Sequence, residues 1–175
     1  YVGLPLLLQI AKKKKVVGLD IDKKRINQLL KGIDDYNEHT YQDIKKVKKN
    51  LILTSDNNMI KNSDLFIITV PTPVDNKNKP DLKFIINATE KVASLIKKNS
   101  IVVYESTVFP GCTEEICVPI IEKISKLKFN KDFFCGYSPE RINVGDSKHK
   151  LQSITKIVSG SNSKTTKLLS NFFKT

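Results

Sequence analysis

Cysteine and arginine are scarce in this 175-residue sequence, and no hydrophobic run in it is long enough to span a bilayer. The lack of such a run argues against a membrane-spanning protein. The three cysteines are an odd number without CxxC spacing, so the sequence predicts neither a disulfide framework nor a metal site. Cys112 and Cys117 lie five residues apart, a spacing that we expect to suit a shared helical face poorly. Since these residues show no signal-peptide pattern either, we expect a reduced, cytoplasmic environment.

The positive charge of the sequence comes almost entirely from lysine. The formal net charge is +12, yet only Arg25 and Arg141 are arginines. Nucleic-acid-binding proteins usually carry a basic stripe, a known motif, or aromatic residues interleaved with basic ones. The lysines here are instead scattered over predicted helix ends and solvent-facing positions. We therefore expect neither a nucleic-acid nor a membrane partner, and the two arginines draw attention because both lie in candidate motifs.

Short apolar runs alternate along the chain with amphipathic patterns of helical period. The runs predict strands at 16–21, 51–54, 65–70, 101–104, 133–137 and 155–159. The helical patterns lie at 6–11, 23–31, 81–96, 113–125 and 163–173, and a short helix follows Asp56. Near-continuous apolar strands separated by helices are typical of a parallel sheet covered on both faces. The sequence therefore predicts an α/β fold. Because Tyr1 begins inside the pattern and Thr175 ends on a helix, we expect a domain truncated at both ends and lacking its first strand.

The first 25 residues carry a pattern typical of dinucleotide-binding folds. Gly3 opens an apolar helix, and Asp20 stands at the end of the next strand, 17 residues later. In such folds a glycine at the helix start permits close helix–strand packing, and an acidic residue about 20 residues on binds the adenosine ribose. Asp20 has the alternative of capping the helix that begins near Asp22. Arg25, in the first turn of that helix, either reaches the adenine or ribose or simply faces solvent.

Polar side chains follow three of the predicted strands at the point where each strand ends. Thr72 and Thr107 follow the strands at 65–70 and 101–104, and Glu140 and Arg141 follow the strand at 133–137. Ligands of open α/β sheets bind beyond the carboxyl ends of the strands, so these residues predict one site built from several loops. A carboxylate there can act as a general base or position a water, and a guanidinium can bind phosphate or carboxylate. Taken singly, each could be an ordinary turn residue.

Four segments resemble the UDP-glucose/GDP-mannose dehydrogenase family, especially the branch that oxidises UDP-N-acetylhexosamines for surface polysaccharides. They read GLDIDKKRI (18–26), ITVPTPVD (68–75), VVYESTVFPGCTEE (102–115) and GYSPERINVGD (136–146). The resemblance implies that residues 1–175 are a Rossmann-like, NAD-binding N-terminal domain. It further implies an enzyme that oxidises the 6-hydroxyl of a UDP-sugar to a carboxylate in two hydride transfers. A catalytic cysteine and lysine, and a central helix that forms a homodimer or larger oligomer, would lie beyond this chain.

The resemblance also implies which residues contact NAD. They are Tyr1, Val2, Gly3, Asp20, Arg25, Thr72 and Thr107. The first three match the end of the family's glycine-rich turn, Asp20 matches the ribose-binding acid, and Arg25 matches a basic residue near the adenylate. The two threonines match residues near the nicotinamide and the catalytic water.

For the chemistry, the resemblance implies Glu140 and Thr72 as catalytic residues. Glu140 matches the glutamate that assists thioester hydrolysis and, together with Arg141, Ile142 and Asn143, belongs to the loop along the substrate sugar. One position departs from the family pattern: Val144 stands where many members carry a second glutamate and the N-acetyl branch usually has proline.

Other functions remain open on the sequence alone. A different dehydrogenase of similar fold, acting on a hydroxy acid or on 6-phosphogluconate, is one alternative, although the YEST and SPERIN segments argue against it. A nucleotide-binding module without catalysis is another, and a basic nucleic-acid-binding domain is a third. Replacing surface lysines with glutamine separates the last of these, because it should abolish polynucleotide binding and leave NAD binding intact.

Overall fold

The structure, a computed structural model, describes residues 2–36, 39–74, 76–139 and 156–174. The described residues form two compact units, the first within Tyr1–Lys61 and the second within Asn62–Glu140 and Thr155–Lys174. The elements are, in chain order, α1 (Gly3–Ala11), β1 (Val16–Leu19), α2 (Lys23–Leu30), α3 (Tyr41–Val47), β2 (Leu51–Thr54), a 3₁₀ helix (Asn57–Ile60), β3 (Leu65–Ile68), α4 (Lys83–Ala93), β4 (Ile101–Tyr104), a π-helical turn (Thr113–Cys117), α5 (Val118–Ser125), β5 (Phe134–Tyr137), β6 (Ser159–Gly160) and α6 (Ser163–Phe173). No helix in this part of the chain combines the length and apolarity needed to cross a membrane.

The first unit is built on two parallel strands. β1 pairs with β2 in a register that runs from Val16 opposite Leu51 to Leu19 opposite Thr54. The apolar faces of α1, α2 and α3 form its core, whose buried members are Leu4, Leu8, Ala11, Leu29, Ile44, Val47 and Leu51. At Gly18 a Cβ would lie 2.5 Å from Cδ2 of Leu7, so only glycine lets α1 pack this closely against β1.

The second unit is a four-stranded sheet in the order β3-β4-β5-β6. β3, β4 and β5 are mutually parallel, and helices cover both faces. On one face Leu169 of α6 packs with Ile101 and Val103 of β4. On the other face the Tyr104 hydroxyl hydrogen-bonds the Thr89 hydroxyl of α4 at 3.0 Å. The parallel sheet with two helical layers agrees with the predicted α/β architecture.

The last predicted strand is wrong in length and direction. The sequence predicts a strand at 155–159 in a parallel sheet, whereas β6 has only two residues and pairs antiparallel with β5. Directly after β6 the chain turns into α6: the Thr166 hydroxyl accepts the Gly160 N–H at 3.0 Å and donates to the Gly160 carbonyl at 3.3 Å. These bonds fix the turn that ends β6, whereas residues 156–158 of the predicted strand pair with no strand among the described residues.

Two helices also differ from the prediction. The pattern at 81–96 predicts a longer helix than α4, which ends at Ala93, so Leu95 and Ile96 lie beyond it. α3 was not predicted, although its start carries a capping box: the Asp43 N–H donates to the Thr40 hydroxyl, and the Asp43 carboxylate accepts the Thr40 N–H. That local signal could have revealed the helix.

The predicted single helix at 113–125 begins instead as a π-helical turn. Because a π-helix hydrogen-bonds residues five apart, it places the buried residues Cys112 and Cys117 on the same side of the turn. The expectation that this spacing suits no shared face is therefore wrong. Burial raises the pKa of the Cys112 thiol to about 11, and burial also raises the pKa values of Cys117 and Cys135.

Gly136 is the point at which β5 comes closest to α6. A Cβ at this position would overlap the Leu169 side chain and lie 3.0 Å from the Ser159 carbonyl oxygen. We expect Gly136→Ala to lower the free energy of unfolding of the full-length protein by about 1–3 kcal/mol, because overpacking forces neighbouring groups apart. Urea denaturation beside Lys128→Ala, an exposed control, measures this. Equal midpoints for the two variants would contradict the expected clash.

Candidate cofactor and substrate site

The start of α1 is a helix terminus without side-chain capping. Val2 occupies the N-cap position and provides no side-chain hydrogen bond, and the first turn from Gly3 contains no acidic residue. The first N–H groups of a helix lack intrahelical partners, and together with the helix dipole they favour an anion. The geometry at Val2 and Gly3 therefore suits a phosphate group.

Asp20 lies exposed directly after β1, at the carboxyl end of the strand. Its Oδ1 accepts the N–H of Asp22 at 2.9 Å. Asp22 itself caps α2 by accepting the N–H groups of Lys24 and Arg25 at 2.8 and 3.2 Å. Asp20 therefore does not cap α2 itself. It orients Asp22, which is the cap residue, and its own carboxylate stays exposed.

Arg25 is held by its own chain and does not face solvent. Its Nη2 donates to Oδ1 of Asp34 at 2.6 Å, and its Cζ lies 5.4 Å from the centroid of the Tyr36 ring. The Arg25 and Asp34 side chains are only 14% and 2% exposed, so the pair is largely desolvated. Nη1 of Arg25 is buried without a hydrogen-bond partner among the described residues. One donor of this guanidinium therefore remains for a ligand.

Asp34, which the sequence analysis missed, anchors this arrangement. Besides Arg25, it accepts the backbone N–H of Tyr36 at 3.3 Å and that of His39 at 3.1 Å. Burial alone raises the pKa of Asp34, but the Arg25 hydrogen bond and charge and the two N–H groups outweigh it, so the pKa lies below its usual value. Asp34 is consequently ionised at neutral pH. No local pattern identifies it, because it lies nine residues after its partner in an irregular loop.

In the second unit, Thr72 and Thr107 follow β3 and β4 as predicted. The Ser106 hydroxyl donates to the Val70 carbonyl at 2.7 Å and so joins the two segments that carry them. Thr107 is exposed, whereas Oγ1 of Thr72 is buried and has no hydrogen-bond partner within the described ranges. Such an atom is costly to bury unless a ligand or water satisfies it. Ser138, at the end of β5, has a buried Oγ in the same situation.

Glu105 is a second buried carboxylate that the sequence analysis did not single out. It follows β4 directly, is 2% exposed, and its Oε2 accepts a hydrogen bond from Nζ of Lys156 at 3.0 Å. Nζ also lies 5.1 Å from the ring centroid of Phe173 in α6. The only sequence signal is that a charged residue directly follows four buried strand residues.

Breaking this ion pair should destabilise the protein more than removing it entirely. We expect Glu105→Gln or Lys156→Met alone to cost about 3 kcal/mol of unfolding free energy, because each removes one member of a largely buried ion pair. This cost is at the low end for a buried pair because the Lys156 side chain is 20% exposed. The double variant removes both charges of the pair, so its loss of stability should be smaller than the sum of the two single losses. Urea denaturation of the wild type, the two single variants and the double variant, all full-length, forms a double-mutant cycle. If the two single losses of stability simply add in the double variant, Glu105 and Lys156 are not energetically coupled.

Five predicted site residues lie outside the described residues: Tyr1, Glu140, Arg141, Ile142 and Asn143. Val144 lies outside them as well. Of the others, Val2, Gly3, Asp20 and Arg25 belong to the first unit, and Thr72 and Thr107 to the second. Among the described residues no group of three His, Cys, Asp or Glu side chains is placed to hold a metal ion.

The whole chain, residues 1–175, matches the family model described as UDP-glucose/GDP-mannose dehydrogenase family, NAD binding domain. The chain belongs to this family. UDP-N-acetyl-D-glucosamine 6-dehydrogenase of Salmonella typhi is 47% identical to it over 99% of this chain, and Protein CapL of Staphylococcus aureus is 51% identical over 91%. The chain covers 41% and 37% of those two proteins, so it spans about two fifths of their length.

A solved structure supports the same assignment. The UDP-D-ManNAc dehydrogenase from Pyrococcus horikoshii is 27% identical, with a TM-score of 0.89 that covers 99% of this chain and 42% of that one. The predicted family, the Rossmann-like fold and NAD as the cofactor are thereby confirmed. The chain's own residues fit that cofactor. Val2 and Gly3 leave a helix N-terminus uncapped, Asp20 presents a carboxylate, and Arg25 and Thr72 keep buried polar atoms without protein partners.

Proposed function

We propose that this chain is the NAD-binding domain of a UDP-sugar 6-dehydrogenase that oxidises a UDP-N-acetylhexosamine to the uronic acid for surface polysaccharide. The observation that carries the proposal is identity of 47% across 99% of the chain to an enzyme named UDP-N-acetyl-D-glucosamine 6-dehydrogenase. Residues 1–175 would form one domain of the enzyme, with its catalytic cysteine and lysine and its central helix beyond them.

In this proposal NAD supplies the hydride acceptor, and the described residues bind and orient it. The N–H groups at Val2 and Gly3 take the pyrophosphate, as helix N-termini do in dinucleotide folds. The exposed carboxylate of Asp20 accepts hydrogen bonds from the adenosine ribose hydroxyls. Nη1 of Arg25 donates to the adenylate, which would satisfy its buried hydrogen-bonding capacity.

The nicotinamide end is assigned to the second unit. The buried hydroxyl of Thr72 would hydrogen-bond the nicotinamide or a water beside it, because this hydroxyl has no other partner in the described residues. Thr107, exposed after β4, would hold the catalytic water. Tyr1 is proposed to contact NAD as well, because it matches the end of the family's glycine-rich turn.

The substrate residues are proposed from the resemblance of the SPERIN segment. Arg141, Ile142 and Asn143 would lie along the sugar, and Glu140 would orient or deprotonate the water that hydrolyses a thioester intermediate. A carboxylate is suited to this step because it accepts the proton as the water attacks.

We also propose that the enzyme works in the cytoplasm as a homodimer or larger oligomer. Three free, buried cysteines agree with a reducing compartment. Size-exclusion chromatography with light scattering of the full-length protein tests the assembly, and a monomer at working concentration would contradict it.

The decisive test of the activity is NAD reduction by the full-length enzyme with single UDP-sugars. UDP-N-acetylglucosamine, UDP-N-acetylmannosamine, UDP-N-acetylgalactosamine and UDP-glucose are compared under identical conditions. We expect an N-acetylhexosamine to be preferred, with two NADH formed per sugar and a uronic acid identified by mass spectrometry. Failure to reduce NAD with any of the four would refute the proposal, and preference for UDP-glucose would refute the branch.

A further inference from the structure

Arg25, five residues after the ribose-binding candidate Asp20, forms a largely desolvated ion pair with Asp34. Asp22 connects the two places, since its N–H donates to Asp20 and its carboxylate accepts the N–H of Arg25. The pair itself is tight, at 2.6 Å, and the Tyr36 ring lies against the guanidinium. The only arginine of the described residues is therefore fixed at the start of α2, close in sequence to the position that recognises the ribose.

The pairing removes most of the attraction that Arg25 would exert on an additional phosphate. NADP differs from NAD by a 2′-phosphate on the adenosine ribose, and a nearby arginine is the usual means by which dinucleotide folds accommodate it. Here the carboxylate of Asp34 neutralises that arginine in a largely buried place, where charges are screened little by solvent. Lys23 and Lys24 share the first turn of α2 but are exposed, so water and salt screen their charges.

Hydrogen bonds also hold the Asp34 carboxylate in place, so that it stays beside Arg25 and neutralises its charge. Both of its oxygens are engaged, Oδ1 by Arg25 and the Tyr36 N–H, and Oδ2 by the His39 N–H. Moving the Arg25 guanidinium away would separate the buried Asp34 carboxylate from this cation, which is strongly unfavourable. The guanidinium is consequently restrained, and it keeps one buried donor, Nη1, for a hydrogen bond to a neutral group.

We propose that Asp34 is a positioning residue that gives the cofactor site its discrimination against NADP, by neutralising Arg25 and holding its guanidinium in place. The inference rests on the proposed function only in requiring that this unit binds the adenosine end of a dinucleotide. It assigns cofactor choice to a residue that does not contact the cofactor itself, in addition to the repulsion by Asp20.

The test compares kcat/KM for NAD and NADP in the full-length enzyme and three variants. Asp34→Asn keeps the size of the side chain and an acceptor for the N–H groups but releases the charge of Arg25. We expect the ratio of NADP to NAD efficiency to rise about tenfold, since a single unscreened charge contributes on that scale. Asp35→Asn removes the same charge from the next residue, which is exposed and bonded to Gln28 at 2.9 Å, and should change the ratio less than about twofold.

The double variant Arg25→Gln with Asp34→Asn identifies the cation responsible. It should return the ratio to about the wild-type value, because the released charge is gone. Equal gains in Asp34→Asn and Asp35→Asn would overturn the proposal, as would a gain that persists in the double variant. If the Asp34→Asn enzyme has lower thermal stability but an unchanged ratio of NADP to NAD efficiency, Asp34 has a structural role only. Should that variant not fold, Asp34→Ser provides a smaller neutral acceptor for the same comparison.

A binding measurement separates failure of this inference from failure of the proposed function. Thermal stabilisation of the same full-length proteins by AMP and by adenosine 2′,5′-bisphosphate reports the 2′-phosphate without any sugar turnover. Asp34→Asn should gain stabilisation by the bisphosphate relative to AMP, even if no UDP-sugar is oxidised. No gain in an enzyme that does oxidise UDP-sugars would refute the inference and leave the function standing.

Discussion

Glu140→Gln in the full-length enzyme is expected to slow steady-state turnover about 10²–10⁴-fold while sparing much of the first hydride transfer. The reason is that an amide cannot accept the proton of the water that attacks a thioester, whereas alcohol oxidation does not require that water. Because both hydride transfers precede thioester hydrolysis, two NADH per active site should form in a burst, and an acyl-enzyme should accumulate. Rapid-quench mass spectrometry with the UDP-sugar that the full-length enzyme prefers measures both.

Two outcomes would contradict this role of Glu140. Loss of the NADH burst without any accumulating adduct would assign the carboxylate to alcohol oxidation, and near-normal turnover with lower stability would leave it a turn residue. Glu114→Gln is the matched control, because it makes the same change at an exposed position in the π-helical turn and should leave both phases unchanged.

The full-length enzyme is also expected to prefer NAD over NADP by about 10²–10³-fold in kcat/KM. A carboxylate placed at the ribose hydroxyls meets a 2′-phosphate with like charge, and such contacts cost several kcal/mol, each 1.4 kcal/mol being a factor of ten. Asp20→Asn removes this repulsion and one hydrogen-bond acceptor for the ribose. It should therefore weaken the binding of NAD and reduce the preference for NAD over NADP. Steady-state kinetics with both cofactors measures the change.

Asp22→Asn is the control for Asp20→Asn, because it removes a charge two residues away. Asparagine is as good an N-cap as aspartate, so α2 should retain its cap and the preference should be nearly unchanged. A wild-type preference for NADP would refute the assignment of Asp20, and equal effects of the two variants would show a general charge effect instead.

The fold was predictable wherever the chain satisfies local rules. α2 is capped at its start by Asp22, and shortly after its end Gly32 has a φ of +76° and an N–H bond to the Leu29 carbonyl at 2.9 Å, which is a glycine termination. Where tertiary contacts decide, the prediction fails. β6 pairs antiparallel with β5 over two residues only, and the turn after Cys112 is π-helical although its residues have an ordinary helical pattern.

The candidate site shows the same division. The strand-end positions of Asp20 and Thr72 were predictable because both follow apolar strands, and their roles at the ligand edge of the sheet stay predictions. The partner of Arg25 was not predictable, since Asp34 reaches it through an irregular loop that no spacing rule describes. The bond from Ser106 to the Val70 carbonyl was hidden for a similar reason, because residues 36 positions apart meet only after the sheet has formed.

The buried thiols have a practical consequence for studies of the complete enzyme. Cys112, Cys117 and Cys135 are at most 2% exposed, and burial keeps their pKa values high, so at neutral pH they are protonated and shielded from reagents. Under native conditions an alkylating probe should therefore leave this domain unlabelled. A cysteine that reacts should then lie outside residues 1–175. Peptide mapping of the labelled full-length protein can therefore search for the proposed catalytic cysteine without background from this domain.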